Sequence, residues 1–369
     1  MKKLLIGLVT TSAIISACSG VGGSTRVQEP PLFAYVGNFD YLNPLSTLSR
    51  CKVDLSNGNL TDCTTINPTT SSNTDALRNP TGITRTTIAG VNYLYINSFG
   101  NPATMSPNID SRSTRCVLNQ TDGLLSSCMN VAFNNFDWPI GVKINNGYAY
   151  IPNYGSTAAG NSYTKCSVNQ SNGTLSDCQN FIPKNASNQD VLYSPEDIAI
   201  YQTTSGNSIA YIPNQQFVGS ESSSSYAQCT ISKTDGTLTD CSRITPSAPG
   251  ALIQPRGVTI DNGYIYFADS AANGNNSLLN SGYTQCRINA NSGDLTDCAT
   301  TKLPGILNSP TGIAIKVVDA HRYAYITNED GMNYVKCDVS ETTGTFSNCN
   351  ANSFGITPTT AVTYIDFSR

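Results

Sequence analysis

Short runs of alternating polar and apolar residues, rich in β-branched and aromatic side chains, recur along the chain without a helical period. One kind opens on proline: PTGITR from Pro80, PIGVKI from Pro139, PEDIAI from Pro195, PRGVTI from Pro255 and PTGIAI from Pro310. A turn such as Asn145-Asn146-Gly147 or Asp261-Asn262-Gly263 leads into a second kind: YAYIPN ending at Asn153, IAYIPN at Asn214, YIYFAD at Asp269 and YAYITN at Asn328. A third carries Tyr-x-x-Cys, as in YTKC from Tyr163, YAQC from Tyr226, YTQC from Tyr283 and YVKC from Tyr334, and a fourth reads Gly-x-Leu-x-x-Cys in most units. Alternation of period two around Asn-Gly turns predicts hairpins. Each unit is therefore expected to contain four strands, here called A to D in that order.

The cysteines set the repeat. Twelve of them form pairs twelve positions apart: Cys51 with Cys63, Cys116 with Cys128, Cys166 with Cys178, Cys229 with Cys241, Cys286 with Cys298 and Cys337 with Cys349. Successive pairs start 65, 50, 63, 57 and 51 residues later. Six units of four antiparallel strands predict an all-β fold, a six-bladed β-propeller. The ends agree with a closed ring. The first unit starts at a B-type run, FAYVGN from Phe33 to Asn38, and the last is followed by an extra A-type segment, TPTTAVTYIDF from Thr357 to Phe367. That C-terminal strand is expected to join blade one, removing the exposed edges of an open array.

Within each C–D hairpin a three-residue turn would place Gly58, Gly123, Gly173, Gly236, Gly293 and Gly344 in the left-handed region and set position i opposite i+12. Paired cysteines would then face each other across the outer hairpin. Zinc normally requires four ligands, and the chain has one histidine, His321, and no Cys-x-x-Cys. Six structural disulfides are expected, as in an exported protein.

The remaining cysteine, Cys18, sits at the end of MKKLLIGLVTTSAIISAC. Two lysines, an apolar run and small residues form a signal-peptide pattern, and Ile-Ser-Ala-Cys resembles the lipobox that precedes a lipidated cysteine. Residues 1–17 are read as the lipoprotein signal peptide, 18–31 as the lipidated cysteine with a flexible tether, and 32–369 as the propeller. Ser19 after Cys18 suggests the outer membrane, in the cell envelope. The apolar run is too short for a stable membrane-spanning helix. The formal charge of −4 becomes −6 once Lys2 and Lys3 are removed, and only 12% of residues are charged. With no basic run, nucleic acid is excluded as an expected partner, and a monomer is expected.

The C–D hairpin Val53-Asp54-Leu55-Ser56-Asn57-Gly58-Asn59-Leu60, with VSETTGTF from Val339 to Phe346, resembles the Val-Asp-x-x-Thr-Gly-x-Leu element of YncE-like and lactonase-type β-propellers. The Pro-x-Gly-Ile and Tyr-Ile-x-Asn strands are similar to NHL repeats and to gluconolactonase-like propellers. The resemblance covers nearly all of the chain after residue 32. Lactonase-type proteins usually have seven blades, so the count of six and the paired cysteines are departures.

Strand A begins and strand B ends on one face, where ligands of such propellers usually bind. The residues before the strand-A prolines, Asn79, Trp138, Ser194, Gln254, Ser309 and Thr357, are expected to ring the channel mouth there, with the strand-B ends Asn38, Ser98, Asn153, Asn214, Asp269 and Asn328. The resemblance to metal-dependent gluconolactonase-like propellers implies a divalent cation such as calcium, held by Glu196, Asp197, Asn214 and Asp269. In the competing reading Asn and Asp at strand ends bond their own backbone, and Glu196 pairs with Arg256. Trp138, Asn79, Gln254 and Arg256 are the candidate ligand contacts, Trp138 also being readable as a plug over the channel. His321 falls in an A–B connection on the opposite face, so no His-based catalytic set can be assembled. Two functions follow: a lipid-anchored scaffold binding an envelope protein, peptide or glycan through its loop face, or a metal-dependent lactonase-like hydrolase.

Overall fold

The computed structural model describes residues 30–40, 47–72, 74–101, 110–131, 133, 135–155, 161–215, 225–246, 252–270, 280–355 and 361–369. Cys18 and the signal and tether segments up to residue 29 lie outside these residues. Pro31–Arg369 forms one compact unit.

All regular elements named here are strands, in six four-stranded sheets. Blade one joins β24 (Ala361–Phe367) to β1 (Phe33–Phe39), β2 (Leu48–Val53) and β3 (Leu60–Ile66). Blade two is β4–β7 (Pro80–Ile88, Val91–Ser98, Arg112–Leu118, Leu125–Asn130) and blade three β8–β11 (Lys143–Asn145, Tyr148–Asn153, Ser162–Val168, Leu175–Phe181). Blade four is β12–β15 (Ala199–Gln202, Ser208–Asn214, Ser225–Ile231, Leu238–Ile244), and blade five β16–β19 (Pro255–Asp261, Tyr264–Asp269, Gly282–Ile288, Leu295–Lys302). Blade six is β20–β23 (Pro310–Val318, His321–Asn328, Asn333–Val339, Phe346–Asn352). The six A strands touch in sequence, β24–β4–β8–β12–β16–β20 and back to β24, so the ring is closed and six-bladed as expected. The apolar B strands lie at the centre of each sheet, while strand D alternates between partly buried and exposed positions.

The register of β24 places Val362 opposite Asn38, as Pro80 lies opposite Ser98 in blade two. Ala361 therefore takes the slot before the strand-A proline in blade one; Thr357, expected there, lies outside the described residues.

Six disulfides join the cysteines as the spacing predicts, one in the C–D hairpin of each blade. In blades one to three Cys51 bonds to Cys63, Cys116 to Cys128 and Cys166 to Cys178. In blades four to six Cys229 bonds to Cys241, Cys286 to Cys298 and Cys337 to Cys349. The Cα–Cα distances are 3.9 to 4.1 Å.

The hairpin itself differs from the expected one. Its turn has four residues, because Asn169 N donates to Thr174 O at 2.9 Å and Gly173 N to Asn169 O at 2.8 Å. Counting outward from such a turn gives odd separations, Val168↔Leu175 and then Ser167↔Ser176. A bulge restores the even separation of twelve: Asp177, with φ 50°, occupies an extra position and brings Cys178 opposite Cys166. The residues just before Cys63, Cys128, Cys241, Cys298 and Cys349 are Asp62, Ser127, Asp240, Asp297 and Asn348. All five share this conformation, which short polar side chains tolerate.

One contact repeats around the whole ring. A strand-B tyrosine donates its hydroxyl to the carbonyl of the hairpin glycine of the next blade: Tyr35 to Gly123 (2.7 Å), Tyr95 to Gly173 (2.5 Å), Tyr150 to Gly236 (2.9 Å), Tyr211 to Gly293, and Tyr266 to Gly344 (3.0 Å). Tyr325 to Gly58 (2.6 Å) closes blade six onto blade one. The glycine has no alternative: Gly173 has φ +71°, and a Cβ on it would stand 2.8 Å from the Tyr95 hydroxyl. Each disulfide thus fixes a hairpin whose tip is already held by its neighbour.

Candidate functional site

The inner strands approach one another at the axis through the third residue of Pro-x-Gly-Ile. A Cβ on Gly82 would lie 2.6 Å from Gly141 Cα, and one on Gly312 2.7 Å from Tyr364 Cα. Four blades carry glycine in this slot (Gly82, Gly141, Gly257, Gly312), but blade four carries Asp197 and blade one Tyr364. Blades one and four are diametrically opposed in a ring of six. Tyr364 reaches across it: its hydroxyl lies 3.2 Å from Glu196 O and 3.3 Å from Glu196 Oε2. The tyrosine is buried, and burial beside Glu196 pushes its hydroxyl well above its ordinary pKa. Asp197 turns instead to the backbone, its oxygens accepting from Val258 N (3.0 Å) and Ile198 N (2.8 Å). Burial pushes its carboxyl up to about 7 against those hydrogen bonds.

The slot one residue earlier also breaks pattern. Thr81, Thr311 and Thr363 each donate to a carbonyl of the following blade, Pro139 O (3.0 Å), Val362 O (3.2 Å) and Pro80 O (2.9 Å). Blades four and five place charge there. Arg256 Nε stands 3.4 Å from Glu196 Oε1, and the other arm of the guanidinium pairs with Glu329. The side chains of Glu196, Glu329 and Arg256 are 1%, 9% and 15% exposed. Desolvation raises the Glu196 carboxyl above its usual range, Glu329 adds to this, and Arg256 opposes it. The Glu196–Arg256 pairing is the one the sequence suggested, and Glu329 joins it.

Around the mouth, in blades two to six, the residue after the strand-B end donates its amide to the carbonyl of the residue before the strand-A proline. These are Phe99 to Asn79, Tyr154 to Trp138, Gln215 to Ser194, Ser270 to Gln254 and Glu329 to Ser309. All five acceptors are left-handed, with φ between 45° and 54°, a conformation that costs free energy in residues other than glycine. The two rings are lopsided. Blades one to three supply Phe39, Phe99, Trp138 and Tyr154: Phe99 stacks on Trp138 at 4.9 Å, lies 5.5 Å from Phe39 edge-on, and is 6.4 Å from Tyr154. Trp138 is 9% exposed, whereas Phe99 and Tyr154 are half-buried. Blades four to six supply Gln215, Gln254, Ser270, Ser309 and Glu329. An aromatic crescent therefore faces a polar one.

The candidate ligand residues divide accordingly. Trp138 and Arg256 lie in the two crescents. Gln254 is buried in the polar ring. Asn79 is a brace, holding Asp40 O and Asp40 N through its side-chain amide at 2.8 and 3.1 Å. The four candidate cation ligands have other partners. Glu196 and Asp197 are placed as above. Asn214 holds the D–A loop through Tyr193 N and Val191 O, both at 3.0 Å. Asp269 Oδ2 accepts from Thr284 Oγ1 at 2.5 Å. Among the described residues Asp269 Oδ1 completes no well-formed hydrogen bond; burial pushes this carboxyl up to about 7, with Thr284 and the Ile253 amide opposing the shift. Among the described residues no three His, Cys, Asp or Glu side chains are grouped as a metal site. The four thus do not form a cation cage: a hard cation needs converging oxygens, and apart from Asp269 Oδ1 these are engaged by the backbone, hydroxyls and a guanidinium. His321 begins β21 at the opposite face and is exposed.

Reading single motifs missed Phe39, Phe99, Tyr154, Glu329 and Tyr364. Their signal lies in comparing equivalent slots, where two aromatic residues and a tyrosine precede Gln215, Ser270 and Glu329, and where Tyr364 and Asp197 replace glycine.

No family model matches the chain, and no curated protein matches it. Solved structures share its architecture. A candidate 6-phosphogluconolactonase of Bacteroides uniformis aligns with a TM-score of 0.54 and 12% identity, over 92% of this chain and 100% of that one. A periplasmic gluconolactonase of Pseudomonas aeruginosa aligns with a TM-score of 0.54 and 11% identity, over 91% and 99%. A protein from Lactobacillus plantarum gives the same score, identity and coverage. The likeness is one of fold, that of lactonase-type propellers. The six disulfides mark a protein of an oxidising compartment outside the cytoplasm.

Proposed function

We propose that this chain is a cell-envelope propeller that binds a saccharide at the channel mouth, on the face where strand A begins and strand B ends. The observation that carries the reading is the division of that mouth, with Phe99 stacked on Trp138 opposite the buried Glu196–Arg256–Glu329 cluster. Apolar ring faces on one side and a few fixed polar groups on the other are what a polyhydroxylated ring requires. Among the envelope partners suggested by the sequence, a glycan is the one that this lining favours. The chain acts as a monomer held at the outer membrane through a lipid on Cys18. Fatty-acid labelling that persists in Cys18→Ala would overturn the anchor. Binding is tested by titrating oligosaccharides against the protein and its Phe99→Ala variant. Saturable binding weakened at least tenfold by the substitution supports the site; equal binding by both forms refutes it.

A second reading, lactone hydrolysis, is favoured by Glu196. A buried carboxyl raised in pKa beside a guanidinium is a stronger base than an ordinary carboxylate and is equipped to take a proton from water, and the gluconolactonase of similar fold adds to the case. Turnover of gluconolactone, measured with and without divalent ions and lost in Glu196→Gln, would establish it. Absence of turnover under both conditions removes it.

A further inference from the structure

Resting on the saccharide-binding reading, the geometry points to an uncharged sugar, and against a phosphorylated one, as the ligand of the channel mouth. Arg256 is the cation of the described cluster, and it is already shared by Glu196 and Glu329. Phosphate recognition depends on guanidinium or ammonium groups offered in excess of nearby carboxylates; here one guanidinium stands between two carboxyl groups. Further acid stands at the rim, where Ser309 Oγ donates to Asp330 Oδ2 at 2.6 Å. A phosphate brought to this mouth would therefore meet like charge in a site of lowered dielectric. A neutral polyol brings no charge to this cluster, can hydrogen-bond at the partly exposed edge of the Arg256–Glu329 pair, and finds an aromatic face in half-buried Phe99, backed by Trp138.

Trp138 is the single tryptophan of the chain, so its fluorescence reports this mouth directly. The experiment titrates the full chain with glucose, gluconolactone and cellobiose, and in parallel with glucose 6-phosphate and 6-phosphogluconate at constant ionic strength. We expect the neutral probes to change the Trp138 emission saturably, and the phosphorylated ones to bind at least tenfold more weakly. The inference has a second arm in Glu329→Gln, which removes one of the two carboxylates that Arg256 meets among the described residues and should narrow that gap. Phosphorylated probes binding as tightly as the neutral ones would overturn the inference and leave the saccharide site standing. A gap unchanged in Glu329→Gln would also overturn it, since the exclusion would then not arise from this cluster. If no probe of either class changes the emission or releases heat in calorimetry, the saccharide reading itself falls, and this inference with it.

Discussion

Replacing Asp269 with asparagine should stabilise the protein in a manner that depends on pH. The slot at the end of strand B is asparagine in four blades, Asn38, Asn153, Asn214 and Asn328. In blade six Asn328 accepts from Asn308 N at 3.1 Å and donates to Ile306 O at 2.8 Å, clasping the D–A loop. Asp269 occupies the same slot fully buried, and its carboxyl is pushed up to about 7, against about 3.9 in an unfolded chain. A raised carboxyl binds its proton more tightly in the folded state. Its stabilising contribution is therefore complete below about pH 4 and is lost as pH rises through about 7. Three pKa units correspond to up to about 4 kcal/mol. With an unfolding entropy of roughly 0.7 kcal/mol per kelvin for a domain of this length, Asp269→Asn should melt up to about 6 °C above the parent at pH 8 and within about 1 °C of it at pH 4. Asp197, also raised to about 7, keeps a residual slope of the same sign in the variant. Scanning calorimetry at several pH values and fixed ionic strength measures the gap. A gap of equal size at both extremes would assign the effect to packing, and no gain at pH 8 would refute the buried-charge argument. Calcium at millimolar concentration supplies a further control. If it raises the melting temperature of the parent at pH 8 but not that of Asp269→Asn, the carboxylate serves a cation and the clasp reading is wrong.

Tyr325→Phe removes the donor to Gly58 O across the closing seam and should cost about 1–3 kcal/mol, as expected when a buried carbonyl loses its partner. Denaturant melts should show a similar loss for Tyr95→Phe, and no change in either would mean the tyrosine contacts are incidental. Cys166→Ser with Cys178→Ser should lower stability by about 2–3 kcal/mol in the chain-entropy model, with the other disulfides still mapping pairwise in non-reducing digests.

The repeat was legible because it is written in strong local signals: alternation, Asn-Gly turns, prolines at strand starts and cysteines at constant spacing. Closure was legible for the same reason, since FAYVGN and AVTYIDF are recognisable halves of one blade. The bulge before each second cysteine was not, although Asp62, Asp177, Asp240, Asp297 and Asn348 carry its signature. An even spacing fits either a three-residue turn or a four-residue turn with a bulge, and only the backbone distinguishes them. The mouth was half legible. Trp138 and the Glu196–Arg256 pair stood out as single residues, but Glu329 and Tyr364 come from blades six and one. Their meeting with Glu196 depends on where the ring brings those blades. Asp269 and Asn214 read as cation ligands in the sequence because an oxygen-bearing side chain at a strand end suits a cation and a loop clasp equally well.

The place where six-fold symmetry fails is also where burial is expensive. Threonine at position 81, 311 or 363 fills its slot with a neutral hydroxyl bonded to the next blade. Blade four instead buries Glu196, and desolvating a carboxylate opposes folding by several kcal/mol unless its partners offset it. Its partners are one guanidinium shared with Glu329 and a tyrosine hydroxyl that the Glu196 carbonyl also accepts. If Glu196 serves stability, Glu196→Thr must damage the fold. If it serves the mouth, restoring the residue of the repeat should leave the melting temperature unchanged or higher, because Arg256 keeps Glu329 and Tyr364 keeps the Glu196 backbone. The same change should abolish saccharide binding measured through Trp138. A variant that unfolds several degrees early would make Glu196 a structural group. One that is stable and binds as the parent does would move the site away from this cluster.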